Sequence, residues 1–475
     1  MVLIVFIVAF TVGWLSNQFL AQNSIETLIS RGSYASESSY TVFVDGGVIK
    51  ARNEVSGNIE FSDSDFSTVM QQLIDSLVNG GTILITRGLY TVTKTINIVN
   101  EAVYIKGEGR GYDIYGTVLK LAAELTNTTV FRYNPSDRHK YFGGISDLTI
   151  DGNDNVGSVG IHVKKYFSDL KFENLWLKNC AGAGIKIEGA GDPTGASHVW
   201  NIWIVDCLVE SCGYGIYLTN ADNYMHKISR VTIRGGHFYD NINSIRIDAE
   251  YSFNILIEGI TAERDRQHCI YMTAGRRVQI VNNRIYDIGT DALNTYDGIH
   301  ITSTYNNPPI DILIQGNSIG NHWIENQMRY CIVVNGSVHH VKITDNILDT
   351  WKSVVPLQPI YYGLNVKDLE IHFNQNYPTE SYGIVNITGT GSQTEFEVIA
   401  QHGLVNDKVI VSASITKAAA PHPSYIYAYL NDTDVDGFKE TIVIIVKFDV
   451  APANGELIYL SLIHISEPTR LGMIS

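Results

Sequence analysis

Carboxylates, basic side chains and aromatic rings are concentrated between residues 263 and 352. They follow short apolar stretches around Ile260, Ile285, Ile319 and Ile347. The groups that could transfer protons or attack a bond are Asp297, Asp291, Glu325, Asp287 and Arg266. The groups that could hold a substrate are Asn294, Tyr296, His322, Trp323, Arg329, Tyr330, Trp351, Lys352, Glu263, Arg264, Asp265 and His268. Aromatic faces pack on the C–H faces of sugars while acids act on the glycosidic bond, so this cluster predicts a carbohydrate site.

Two cleavage chemistries and one structural interpretation remain open for this cluster. Inverting hydrolysis requires two carboxyl groups about 6.5–9.5 Å apart, so Asp297 would pair with Asp291, Asp287 or Glu325. A lyase would use Arg or Lys to remove the proton beside a uronate carboxylate, with Ca²⁺ or another cation neutralising the acid. The structural interpretation is a solvated outer surface with local ion pairs.

These side chains must be positioned by a repeated β unit. Apolar segments begin at Ile161, Ile185, Ile216, Ile245, Ile270, Ile299 and Ile332, at intervals of 24 to 33 residues. Phrases such as Ile-Arg-Ile, Ile-Tyr-Met and Ile-His-Ile alternate with a period of two, which indicates strands and excludes helical repeats. The repeat therefore predicts an all-β solenoid whose lengthening turns form the walls of a groove.

Asn and Asp recur at the corners of this repeat. Stacked amides hydrogen-bond along a solenoid axis and tolerate a left-handed backbone, so we expect most of them to be architectural. Asp151-Gly-Asn-Asp154 is interpreted as such a turn, with Ca²⁺ ligation as the alternative. Before the repeat, Phe66, Val69, Met70, Leu73, Ile74 and Leu77 form one apolar stripe, which predicts a helix that covers the open end of the solenoid.

Residues 60 to 390 resemble the right-handed parallel β-helix superfamily of pectate lyases, polygalacturonases and phage tailspikes. The resemblance rests on the strand phrases above, on the amphipathic segment and on Ile105-Lys-Gly-Glu-Gly109. It implies a β-helix with an N-terminal capping helix, followed by a small antiparallel β module over residues 388–459. Polysaccharide binding or cleavage is the expected activity.

One phrase resembles polygalacturonase-type hydrolases. Asn294-Thr-Tyr-Asp-Gly-Ile-His300 matches their Asn-Thr-Asp-Gly-Ile-Asp with one inserted Tyr, which implies site roles for Asn294 and Asp297. The next coil reads Gly320-Asn-His-Trp-Ile-Glu325 in place of a paired Asp-Asp, and Gly-His-Gly and Arg-Ile-Lys phrases are absent. The alternative function is therefore a non-catalytic adhesin or tailspike-like fibre that binds glycans, in which case a homotrimer is expected.

Composition narrows the choice of partners. A net charge of −15 over 475 residues argues against nucleic acid, although a local basic patch could still bind an acidic polysaccharide. The five cysteines have no disulfide or zinc spacing, so we expect buried thiols and no metal site. No cofactor is expected beyond Ca²⁺ for a lyase.

The two ends of the chain differ in composition from the repeat. Residues 1–22 are apolar and predict an export signal or a retained anchor, which would be the chain's contact with a membrane and would place it outside the cell or at its surface. Residues 23–61 form a lead-in segment and 62–387 the solenoid. Residues 460–475 resemble a translated sequencing adapter, so we expect the native chain to continue beyond Tyr459.

Overall fold

The computed structural model describes residues 39–466, apart from 136–137, 190–197, 221–226, 304–307, 323–327, 350–358, 364, 376, 378–379, 389, 402–408, 416–422, 432–440 and 455–456. The N-terminal apolar segment and the last nine residues lie outside this range. Within the described residues, no helix has the length and apolar character required to cross a bilayer.

Three long sheets wind into one parallel β-helix. Sheet A has 14 strands: β1 (Tyr40–Asp45), β2 (Val48–Asn53), β3 (Ile59–Asp63), β4 (Gly81–Ile85), β7 (Val103–Gly107), β10 (Lys140–Ser146), β13 (Phe167–Glu173), β16 (Val199–Val205), β19 (Ile228–Arg234), β22 (Ser252–Glu258), β25 (Arg276–Val281), β28 (Ile310–Gln315), β31 (His339–Thr344) and β34 (Lys367–His372). The strands of sheet A pair in parallel from β1 through β4 to β34. The β1–β2 and β2–β3 pairs are antiparallel.

Sheets B and C contribute ten strands each. Sheet B contains β5 (Gly88–Val92), β8 (Thr117–Leu121), β11 (Thr149–Asp151), β14 (Trp176–Lys178), β17 (Leu208–Glu210), β20 (His237–Tyr239), β23 (Thr261–Glu263), β26 (Arg284–Tyr286), β29 (Ser318–Gly320) and β32 (Ile347–Asp349). Sheet C contains β6 (Ile96–Ile98), β9 (Thr129–Tyr133), β12 (Val159–Lys164), β15 (Ala183–Gly189), β18 (Tyr214–Asn220), β21 (Asn243–Ile247), β24 (Ile270–Met272), β27 (Ile299–Ile301), β30 (Ile332–Val334) and β33 (Ile360–Tyr362).

The predicted repeat is confirmed by the register of sheet C. Ile161, Ile185, Ile216, Ile245, Ile270, Ile299 and Ile332 are paired coil after coil and all point into the core. A small residue precedes each Ile because there is little room at that corner. A Cβ on Gly298, for example, would lie 2.6 Å from Ile319 Cγ2 and 2.7 Å from the Cys331 carbonyl oxygen.

Polar ladders hold the corners, as the sequence predicts. Asn283, Asn317, Asn346 and Asn374 are buried, and each of the first three donates from Nδ2 to Oδ1 of the next at 2.8–2.9 Å. At the corner between sheets A and B, Asn174, Asp206, Gly235 and others adopt positive φ, which Asn, Asp and Gly tolerate best. The Asp151 segment is also a turn, because Asp151 accepts from the Asn153 amide at 2.8 Å while Asn153 and Asp154 have positive φ.

The predicted capping helix is α1 (Phe66–Ser76). Asp65 caps its N-terminus by accepting a hydrogen bond from the Ser67 amide, a favourable N-cap. All six residues of the predicted apolar stripe lie in the core. A short 3₁₀ turn, Asp113–Tyr115, follows β7.

Two small antiparallel sheets follow the solenoid. β35 (Glu380–Thr388), β40 (Leu457–Ser466) and β37 (Val409–Ile415) form one; β36 (Glu395–Gln401), β39 (Thr441–Phe448) and β38 (Pro423–Asn431) form the other. This agrees with the predicted C-terminal β module. The backbone pairs residues 460–466 as part of β40, and the adapter interpretation of that segment stays a prediction.

Candidate functional site

The outer face of sheet C carries a cluster of ionisable and aromatic side chains around Asp297. On this face the middle residue of each three-residue strand points away from the core, because the residues on either side of it are buried isoleucines or their equivalents. Arg246, Tyr271 and His300 are therefore neighbours on successive strands β21, β24 and β27. We call Arg246, His268, Tyr271, Asp297, His300 and Arg329 the sheet C site.

Two chain connections between sheets B and C place Asp297 and Arg329 together. Residues 287–298 and 321–331 are linked by a parallel bridge between Tyr296 and Met328 and by a 2.7 Å hydrogen bond from the Arg329 amide to the Tyr296 carbonyl. The Gly298 amide donates to the Tyr330 carbonyl at 3.0 Å. These backbone bonds fix the guanidinium of Arg329 against the carboxylate.

Asp297 is fully buried, and both of its carboxylate oxygens accept hydrogen bonds. Oδ1 accepts from Arg329 Nε at 3.0 Å and from the Tyr330 amide at 3.2 Å. Oδ2 accepts from His300 Nδ1 at 2.7 Å and from Arg329 Nη2 at 2.8 Å. Burial opposes ionisation of Asp297, but the bonds from His300 and Arg329 outweigh it and hold its pKa below the usual value. Asp297 is therefore an anion at neutral pH.

The hydrogen bonds assign the tautomers of both histidines. Because the anionic Asp297 only accepts, a neutral His300 carries its proton on Nδ1, which leaves the Nε2 lone pair for another partner. His268 Nδ1 accepts the Asp297 amide proton at 3.0 Å, so a neutral His268 carries its proton on Nε2. Burial and the neighbouring His300 lower the pKa of His268 to about 4, which keeps it neutral.

Aromatic rings and a second cation flank the two histidines. The rings of Tyr271 and His268 are stacked at 5.1 Å, and Tyr271 lies 5.3 Å from the His300 ring. Arg246 lies over Tyr271 at 5.0 Å and bonds to Asp248 at 2.5 Å. The site therefore combines a histidine base, two guanidinium groups and a phenol on one outward face.

Five of the residues predicted from sequence lie in or beside this site. They are Asp297, His268, Tyr296, Arg329 and Tyr330. Tyr296 packs edge-on against His268 at 5.3 Å, and Tyr330 stacks with Tyr361 at 5.3 Å.

The other described candidates lie elsewhere on the coils. Glu263 ends β23 on sheet B, where it meets His237 at 3.0 Å, and Arg264 lies 3.6 Å from Asp240. Asp287 is buried and accepts from the His322 amide at 2.7 Å. Arg266, Asp291, Asn294 and His322 are exposed. Trp323, Glu325, Trp351 and Lys352 lie outside the described residues.

Asp265 is fully buried, and its hydrogen bonds indicate a structural role. Its carboxylate accepts from the Asn241 amide, the Ser244 amide and the Ser244 hydroxyl. Burial raises the pKa of Asp265 to about 7 in spite of these bonds. It ties the 264–269 connection, which carries His268, to the preceding coil.

Sequence reasoning missed His300, Arg246 and Tyr271. The available signal was the middle letter of the Ile-His-Ile, Ile-Arg-Ile and Ile-Tyr-Met phrases, which were used to recognise strands. In a solenoid those positions point outward in a row, so each is also a candidate site residue.

Comparison with known proteins agrees with the architecture. The family model described as "Periplasmic copper-binding protein (NosD)" matches residues 146–365. The structure titled "Geobacillus virus E2 - ORF18" has a TM-score of 0.52 and 17% identity, covering 86% of this chain and 77% of that one. The Streptococcus pneumoniae surface protein and adhesin PfbA has a TM-score of 0.51 and 12% identity, covering 66% and 93%. The chain therefore has the parallel β-helix fold of these structures.

Other solved structures show a weaker likeness to the chain. The A-module of mannuronan C-5 epimerase AlgE4 from Azotobacter vinelandii, for instance, has a TM-score of 0.43 and 16% identity, covering 66% of this chain and 94% of that one. No curated protein sequence matches the chain.

The description of the matched family model raises the question of a copper ion. The ligand atoms of His268, Asp297 and His300 lie within 4.8 Å of one another. However, His268 Nδ1 and His300 Nδ1 are occupied by hydrogen bonds to Asp297, and the Arg329 guanidinium holds both of its carboxylate oxygens. A bound cation would displace these bonds and face a fixed positive charge, so the described residues of this cluster do not fit a metal ion.

Proposed function

We propose that this β-helix protein cleaves an acidic polysaccharide by β-elimination on the outer face of sheet C. The observation that carries the proposal is His300, whose Nδ1 is held by the buried Asp297 while its Nε2 carries the lone pair of a general base. The sequence left hydrolysis and elimination open, and this geometry favours elimination.

The chemistry follows from the groups around His300. His300 Nε2 takes the proton from the sugar carbon beside the uronate carboxylate. The C–H electron pair forms a carbon–carbon double bond as the neighbouring C–O bond breaks, and the leaving oxygen takes a proton from the Tyr271 hydroxyl or from water. Arg329 uses Nε and Nη2 for Asp297, which leaves Nη1 for the substrate carboxylate. Arg246 supplies a second positive charge near Tyr271.

The guanidinium groups also address the expected role of Ca²⁺. Neutralising the uronate carboxylate stabilises the charge that develops when the adjacent proton leaves. Arg329 and Arg246 each pair with a carboxylate, Asp297 and Asp248, but their remaining N–H groups can hydrogen-bond the uronate carboxylate, so we propose that turnover does not require Ca²⁺. Turnover that disappears with a chelator and returns with Ca²⁺ would contradict this part of the proposal.

Hydrolysis is less well supported by the described residues. Asp297 is buried and already accepts four hydrogen bonds, which prevents it from donating a proton to a glycosidic oxygen. A hydrolytic pair would have to include Asp291, which is exposed, or Glu325, which lies outside the described residues. We retain that pair as the alternative chemistry.

A second candidate function is glycan binding without cleavage. The likeness to the adhesin PfbA favours it, as does the stacked pair of the half-buried Tyr330 and the exposed Tyr361 beside the site. A binding fibre of this kind would be expected to assemble as a homotrimer. Export through residues 1–22 is proposed for either function, since an extracellular or surface location matches both kinds of ligand.

Product analysis separates these functions. The purified protein would be incubated with a panel of neutral and uronic polysaccharides, following ultraviolet absorbance and reducing ends together. Elimination gives rising absorbance with new ends, and hydrolysis gives new ends alone. Binding without either product, together with a trimeric mass in sedimentation, would support the fibre and exclude the proposed lyase.

A further inference from the structure

A second group of basic side chains lies on the same face of sheet C, nearer the N-terminus. Arg132, His162 and Lys186 are paired on strands β9, β12 and β15, and Lys164 is paired with Glu188. All five side chains point outward, because the alternate residues Ile161, Val163, Ile185 and Ile187 are buried. We call these five residues the Glu188 cluster.

Glu188 is almost fully buried and is surrounded by nitrogen atoms. Its carboxylate lies 2.6 Å from Lys186 Nζ, 3.3 Å from Lys164 Nζ and 3.3 Å from His162 Nε2. Burial opposes its ionisation, but the contacts with His162 and Lys186 dominate and hold the pKa of Glu188 well below its usual range. Glu188 is therefore an anion at neutral pH.

The positive charge of the cluster exceeds that of its carboxylate. Arg132, Lys164 and Lys186 are cations, whereas burial lowers the pKa of His162 and keeps it neutral. Three cations thus face one anion, in a chain whose overall charge is −15. Such a local excess attracts an anionic group that the rest of the surface repels.

Two buried nitrogen atoms in the cluster also lack a hydrogen-bond acceptor. Arg132 Nε has no hydrogen-bond partner, and its Nη2 bonds only weakly to Thr129 Oγ1 at 3.3 Å. His162 Nε2 is close to Glu188 but does not reach hydrogen-bond geometry. An arginine cannot lose its proton, and an unsatisfied buried donor is unfavourable, so an acceptor at this place would be stabilising.

We propose that the Glu188 cluster is a second binding site, which takes a carboxylate group of an acidic polysaccharide. Five steps between neighbouring strands separate His162 on β12 from His300 on β27, or about 24 Å at about 4.8 Å a step. A single polysaccharide chain that runs along the solenoid axis contacts both places. The identity of the polymer as a uronate rests on the proposed function, whereas the anion site rests on the cluster alone.

The test compares binding by charge variants on two faces of the solenoid. The double variant Arg132→Gln/Lys186→Gln removes two of the three cations. The control Lys171→Gln removes a cation on sheet A, where Lys171 pairs with Glu173 at 2.8 Å much as Lys186 pairs with Glu188. Calorimetry would measure binding of a galacturonate decasaccharide and of its fully methyl-esterified, uncharged form.

The proposal predicts at least about tenfold weaker binding of the charged decasaccharide by the double variant, since a hydrogen bond to a charged group contributes about that much. The control variant should bind the charged decasaccharide as tightly as the wild type does. The esterified decasaccharide should bind equally to the wild type, the control and the double variant. Equal binding of the charged ligand by the double variant and the control would overturn the proposal.

Folding and catalysis can be separated from this result. If thermal unfolding shows that the double variant is destabilised, Lys164→Gln leaves Glu188 two partners and should still weaken binding several-fold. Failure of the lyase proposal would appear as an absence of unsaturated product in the wild type, with the charge-dependent binding intact. Failure of the present inference would appear as normal binding by the variants, whatever the wild type catalyses.

Discussion

At the scale of single residues, Asp297 sets the state of the whole sheet C site. It is a buried anion that fixes the proton of His300, accepts two bonds from Arg329 and donates its own amide to His268. Because Asp297 is fully buried and cannot contact a sugar, we regard it as a positioning residue. In the proposed mechanism His300 is the base, and Arg329 and Arg246 face the substrate carboxylate.

Asp297→Asn tests this positioning role. Asn keeps one acceptor oxygen, but its amide nitrogen donates and cannot replace the second carboxylate oxygen. It therefore cannot accept from both His300 and Arg329 as Asp297 does, and the imidazole loses its fixed tautomer. We expect kcat on a uronic polysaccharide to fall by about 10²-fold or more, with KM changed little. Steady-state rates of unsaturated product formation measure both constants. A variant that retains wild-type kcat would show that His300 is not oriented by Asp297.

The lowered pKa of His268 predicts that the stability of the protein falls toward acidic pH. Its pKa is about 4 when folded against about 6.5 when unfolded, so between these values only the unfolded chain binds the proton. The contribution of His268 therefore falls as pH drops through this window, by up to about 3 kcal/mol.

His268→Asn keeps an acceptor for the Asp297 amide and removes the titration. Urea unfolding of both proteins between pH 4 and pH 7 should show that the wild type loses more stability toward acid than the variant does. Asp265, whose raised pKa lowers stability as pH rises toward 7, is present in both proteins and cancels in the difference. Parallel curves would contradict the assignment of a neutral His268.

At the scale of elements, the corner ladder carries much of the specificity of the coil stacking. Asn317 accepts from both the amide and the side chain of Asn283, and its Nδ2 donates to Ile280 and Asn346. All of these groups are buried, where an unpaired donor or acceptor cannot reach water.

Asn317→Ala should therefore destabilise the protein by roughly 2–4 kcal/mol, from several buried groups left unpaired. Asn97→Ala is a suitable control, since Asn97 lies between two buried isoleucines on β6 and points outward. Chemical denaturation would compare the two variants, and an equal effect of both would show that the ladder adds no more than any other position.

The strands, the cap and the ladder were predictable from sequence because each follows a short-range rule. Alternating isoleucines, a helical apolar stripe and recurrent corner Asn residues all express local geometry. The proximity of His268, Asp297 and Arg329 was not predictable, since it depends on how the connections 287–298 and 321–331 fold back on each other. The outward position of His300 is predictable in principle, because the middle residue of a three-residue strand lies between two buried ones.

At the scale of the whole molecule, sheet C is the face that carries both the proposed catalytic site and the proposed second binding site. Its ten strands span about 43 Å along the axis, with the Glu188 cluster toward one end and the sheet C site toward the other. The connection 287–298 and residues 328–331 border its C-terminal coils on the side of sheet B. An extended polymer fits this geometry better than a small metabolite does.

The most direct test of the central claim is the initial rate of unsaturated uronate formation by His300→Gln. The wild type and His340→Gln, which alters an exposed histidine on sheet A, serve as references. We predict that the wild type and His340→Gln act equally, while His300→Gln is slower by about 10²-fold or more with unchanged thermal unfolding. Undiminished product formation by a folded His300→Gln protein would contradict the claim that His300 is the base.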